Sequence, residues 1–156
     1  MTREPQVPRH LPPSATVGLL GFGADDQAAL ARILDSAECP IGPRCKWKVH
    51  CRPNLESALE DLRLSPTPIV LCDRDQTADA WKDLLVSFTS WPDPPLLIVA
   101  SRLADEHLWA EALNLGAYDV LAKPFDGAEV VRITALACLR WHQRHADVPL
   151  AMRSVA

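Results

Sequence analysis

The chain has 156 residues, 48% of them hydrophobic, and a formal net charge of -4. That length suits one domain with a proper core. The acidic balance, with a pI near 5.7, gives no global attraction to nucleic acid. The longest apolar run, Leu96 to Ala100, is far short of the roughly 20 residues that span a bilayer. The start, with four prolines between Met1 and Pro13, does not read as a signal peptide, so a cytoplasmic protein is expected.

Apolar runs and helical periodicities alternate along the chain. Residues 1–14 read as a flexible, proline-rich segment. Thr16 to Leu20 form the first expected strand, ending in Gly21-Phe22-Gly23. Asp25 and Asp26 open a helix to about Asp35, where acids in the first turn suit the helix dipole. Lys46 to Cys51 alternate polar and apolar, as an edge strand does. Asn54 is placed to cap a helix to about Leu62, and Ile69 to Cys72 is apolar on both faces, as a buried strand requires. A helix from Asp79 to about Phe88 is broken by Trp91-Pro92-Asp93-Pro94-Pro95. Leu96 to Ala100, a helix from Asp105 to Leu115 ended by Gly116, and Tyr118 to Ala122 repeat the rhythm. Asp126 begins a last helix to about His145, followed by a flexible tail, 146–156.

Five strands alternating with five helices imply an α/β fold with a parallel sheet covered on both faces. The flavodoxin-like order 2-1-3-4-5 is the common arrangement for that count. In such sheets chemistry collects beyond the carboxyl ends of the strands. Asp73 closes the third strand and Lys123-Pro124 closes the fifth, so a carboxylate and an ammonium are expected in one crevice.

Five cysteines, none in a C-x-x-C pair, argue against zinc, and Cys72 and Cys138 read as small buried hydrophobes. Gly21-Phe22-Gly23 after a strand suggests nucleotide binding, but the third glycine is missing and Asp26 stands where a pyrophosphate would approach.

Pro68-Ile-Val-Leu-Cys-Asp73, Pro95-Leu-Leu-Ile-Val-Ala-Ser101 and Gly116-Ala-Tyr-Asp-Val-Leu-Ala-Lys-Pro-Phe-Asp126 together resemble the receiver domain of bacterial two-component response regulators. The resemblance covers about Ala15 to His145, taken as the domain, 15–145. It implies that Asp73 is a phosphoacceptor attacking a kinase's phosphohistidine, a reaction suited to a carboxylate nucleophile. It implies Lys123 as the phosphoryl contact, Pro124 as a cis turn, and Mg²⁺ sharing the charge with Asp73 among its ligands. A histidine kinase or phosphotransfer protein is the implied donor.

Several residues depart from the receiver pattern. The two metal-holding acids expected after the first strand are replaced by Gly21 and Phe22, which weakens a magnesium site. Asp25 and Asp26, farther on, are the remaining metal candidates, and Arg74 is a candidate for part of the missing positive charge. Ala100 stands where a hydroxyl contacts the phosphoryl group; Ser101 substitutes only if the strand end is shifted. Val120 holds the place of the switching aromatic, with Tyr118 expected on the same face. The last helix has more apolar positions between Val130 and Leu139 than one stripe needs, which suggests a partner or dimer surface. Few residues follow that helix, so the expected protein is a stand-alone, non-enzymatic response regulator. Its output then passes by protein contact through the last two helices and fifth strand, without nucleic acid or membrane. The alternative is a phosphorylation-independent pseudo-receiver serving interaction or dimerisation.

Overall fold

A computed structural model describes residues 15–43, 45–65, 67–77 and 79–146. The expectations for segments 1–14 and 147–156 fall outside these described residues. Five strands form one parallel sheet: β1 (Ala15–Leu20), β2 (Trp47–Arg52), β3 (Ile69–Asp73), β4 (Leu96–Ser101) and β5 (Asp119–Ala122). Their spatial order is β2-β1-β3-β4-β5, the flavodoxin-like arrangement. Six helices accompany them: α1 (Ala24–Asp35), α2 (Leu55–Leu64), α3 (Arg74–Thr77), α4 (Ala80–Phe88), α5 (Glu106–Asn114) and α6 (Gly127–Ala146).

The strand pleat sorts the core into two layers. Val17, Leu19, Ile69, Leu71, Ile98 and Leu121 meet Leu30 and Leu34 of α1 and Val130, Ile133 and Ala137 of α6. Their strand neighbours Leu20, Val70, Leu97, Val99 and Val120 face the other way, against Trp81 and Leu84 of α4 and Leu108 and Ala112 of α5. The central strand β3 is buried along its whole length. That explains its unbroken apolar sequence and carries its last residue, Asp73, into the interior.

Local signals set the helix ends. The Asn54 side chain accepts a hydrogen bond from the Ser57 N–H at 2.9 Å, and Asp105 accepts one from Leu108 at 2.8 Å. After α5 the backbone turns at Gly116, with φ +105°, a conformation open to glycine and poorly tolerated with a Cβ.

The structure corrects the sequence reading in two places. A sixth helix, α3, follows Asp73 directly where a loop was expected. The Asp75 N–H donates to Asp73 Oδ1 (2.8 Å) and the Thr77 hydroxyl donates to the Asp73 carbonyl (2.5 Å), closing one turn locally. Tyr118 was expected beside Val120 on one face, but it packs with the α1–α6 layer while Val120 belongs to the opposite one. Tyr118 precedes β5, so the alternation counted from it does not apply.

Candidate functional site

Parallel strands carry β1, β3, β4 and β5 to the same edge of the sheet, where Gly21, Asp73, Ser101 and Lys123 gather. Asp73 lies beside Ala100 in the β3–β4 register and has no exposed surface. Lys123 follows β5, its N–H donating to the Ser101 carbonyl at 3.0 Å, and its peptide bond to Pro124 is cis. Its ammonium donates to Asp73 Oδ2 at 2.6 Å and to Asp26 Oδ2 at 3.1 Å, and lies 3.6 Å from Asp75 Oδ2. Phe22 forms an apolar wall, its ring centre 5.6 Å from the same nitrogen and 6.2 Å from that of Phe125.

One ammonium therefore serves three carboxylates. Burial alone would push the Lys123 pKa down, but the hydrogen bonds and charges of Asp73 and Asp26 more than offset this, and it is raised. Asp75 has the mirror-image balance. Burial pushes its carboxyl up, yet donors from the Arg102 N–H, the Ser101 hydroxyl and Lys123 bring it below its usual range.

Asp75 is the residue that sequence reasoning missed. It accepts the Ser101 hydroxyl at 2.7 Å and the Arg102 N–H at 2.8 Å, tying α3 to the end of β4. The available signal was an acid two residues beyond Asp73, in a segment read as loop. Ser101, taken as a substitute phosphoryl contact, is fully buried and directs its hydroxyl to Asp75. Of the two acids opening α1, Asp26 reaches Lys123 while Asp25 is exposed. Arg74 is half-buried on α3, and its charge acts on Glu111 of α5.

The donor chemistry does not fit Mg²⁺. Gly21 and Phe22 offer no ligating side-chain atom, and the carboxylates that remain close together enclose an ammonium. Among the described residues no group of three or more His, Cys, Asp or Glu has a geometry that could hold a metal ion. The backbone at Gly21 has φ +79°, and a Cβ built there would stand 2.0 Å from Thr77 Cγ2. The space a side chain at residue 21 would need is thus filled by the Thr77 methyl.

No protein-family model matches the sequence, and no curated protein does. Solved structures do match in fold. The signal receiver domain of an HD domain-containing protein from Pseudomonas fluorescens Pf-5 superposes with a TM-score of 0.70 at 19% identity, over 85% of this chain and 93% of that one. A response regulator from Thermotoga maritima gives 0.67 at 18% identity, over 80% and 97%. NtrX from Brucella abortus gives 0.67 at 18% identity, over 84% of this chain but only 28% of that longer protein. The chain has the flavodoxin-like fold of response regulator receiver domains.

Proposed function

We propose that this chain is a receiver-fold interaction module of two-component signalling, not an enzyme, in which a fixed charge cluster has replaced metal-dependent phosphoryl transfer. The observation that carries this reading is the state of Asp73. Its carboxylate is wholly buried, with one oxygen held by the Asp75 N–H and the other by Lys123. A nucleophile needs an approach path, and phosphoryl transfer needs cations aimed at the entering oxygens. Here the cation is already shared among three acids.

Output by protein contact is supported by exposed apolar side chains on the last two helices. Trp109 and Leu113 on α5 and Leu136 and Leu139 on α6 are 38–48% exposed, which accounts for the surplus apolar positions of the last helix. Its partner in this reading is a histidine kinase, a phosphotransfer protein or a second copy. Five cysteines outside any disulfide suit a reducing, cytoplasmic setting.

A second reading keeps Asp73 as phosphoacceptor, and the 2.6 Å approach of Lys123 favours it. Asp73 would attack phosphohistidine phosphorus, breaking the P–N bond and forming an acyl phosphate, with Lys123 released from Asp26 and Asp75 to meet the phosphoryl oxygens. Incubation with radiolabelled acetyl phosphate and Mg²⁺ separates the two. The first reading predicts no incorporation. Base-labile label lost in Asp73→Asn establishes the second.

A further inference from the structure

A cavity of about 450 Å³ lies between α2 and the β2–β1 side of the sheet, lined by none of Asp26, Asp73, Asp75 or Lys123. Its volume is in the range of small-ligand sites. Leu62 and Leu64 give it accessible apolar surface and the core residues Leu20, Ala58 and Val70, 1–3% exposed, close its floor, while Lys48, His50 and Arg52 line it from alternate positions of edge strand β2. Successive residues of one strand face are separated by roughly 7 Å, so the three side chains form a basic ladder along the cleft. Arg52 is paired with Asp61 of α2, the only acid among the described residues that line the cavity. Lys48 supplies positive charge and, beside it, His50 a ring that can donate a hydrogen bond.

Gly18 gives an independent sign. It sits in the interior of β1, in register with His50, and lines the same cavity. A Cβ there would meet Val70 Cγ2 at 3.6 Å, an ordinary contact, and the backbone is not in the left-handed region. Neither sterics nor dihedral angles demand glycine, although glycine weakens a strand interior. The missing side chain leaves room for a ligand to approach the strand there.

We infer that this cleft binds a small anionic amphiphile, a carboxylate with an apolar body, the chain lying over the floor at Gly18 and along Leu62 and Leu64 and the anion meeting Lys48 and His50. The inference is independent of any phosphoryl chemistry at Asp73.

Decanoate is the probe, titrated calorimetrically into the full chain. The expected result is saturable one-to-one binding, weakened at least tenfold by Gly18→Val, with thermal stability held or raised because a β-branched residue suits the strand. Lys48→Glu weakens it at least threefold. Should Gly18→Val fail to fold, Gly18→Ala replaces it, with weakening in the same direction expected. Absence of saturable heat, affinity unchanged in both the residue-18 and Lys48 variants, or 1-decanol binding as tightly as decanoate would overturn the inference.

Discussion

Gly21 and Thr77 interlock: a Cβ on residue 21 would lie 2.0 Å from the Thr77 methyl, which stands over the end of β1 because its hydroxyl is bonded to the Asp73 carbonyl. A side chain at residue 21 therefore meets both a left-handed backbone and the Thr77 methyl. Gly21→Asp is expected to cost roughly 1–2 kcal/mol for the left-handed backbone and about 1–3 kcal/mol for the overlap. Thr77→Ser keeps the hydroxyl and removes the methyl, so in that background the overlap part should disappear. Urea unfolding of both single variants and the double variant measures this, and additive effects would refute the interlock.

Breaking the buried pair from the cationic side should be severe. Lys123→Met leaves Asp73 charged and enclosed, with an expected loss of about 3–5 kcal/mol. Asp73→Leu combined with Lys123→Met removes both charges and should be less destabilised than Lys123→Met alone. Chemical denaturation of the set tests the coupling.

The pH dependence follows from the same cluster. The raised pKa of Lys123 contributes stability that is fully present below its unfolded value of about 10.4, then lost as pH rises through the folded value. The lowered pKa of Asp75 works in the opposite sense. Its contribution is present above the unfolded value of about 3.9 and lost as pH falls through the folded one. Melting temperature should thus fall at the alkaline end less steeply in Lys123→Met than in the parent chain.

Ser101→Ala should loosen the link between α3 and β4. It removes a hydrogen bond to a charged acceptor, about 1.5–3 kcal/mol in ordinary cases, and also the acceptor of the Leu103 N–H. Hydrogen exchange at Arg102 and Leu103 is expected to accelerate, most strongly in Asp75→Ala, where the acceptor of the Arg102 N–H is lost.

The architecture was legible in the sequence because four strands are short apolar runs and the edge strand β2 alternates polar and apolar. Asn54, Asp105 and Gly116 mark boundaries through purely local chemistry. Asp73 and Lys123 were legible as a pair because parallel topology brings strand ends to one edge whatever the intervening chain does. The roles of Asp26 and Asp75 were not. Asp26 meets Lys123 across 97 residues, and Asp75 meets Ser101 across 26, distances at which spacing carries no information. The α3 turn was hidden because the Asp75 N–H bonded to the Asp73 carboxylate and the Thr77 hydroxyl bonded to the Asp73 carbonyl, not apolar periodicity, hold it. Tyr118 was misplaced by counting pleat parity from outside its strand.

The most direct test of the charge cluster as a replacement for metal and phosphoryl group is a titration of the ¹⁵N-labelled chain with Mg²⁺, then with beryllofluoride, followed by amide NMR. Resonances of Asp73, Asp75, Ser101 and Lys123 should stay in place at millimolar Mg²⁺ and after beryllofluoride is added. Saturable shifts centred on Asp73 and abolished by Asp73→Asn would contradict it.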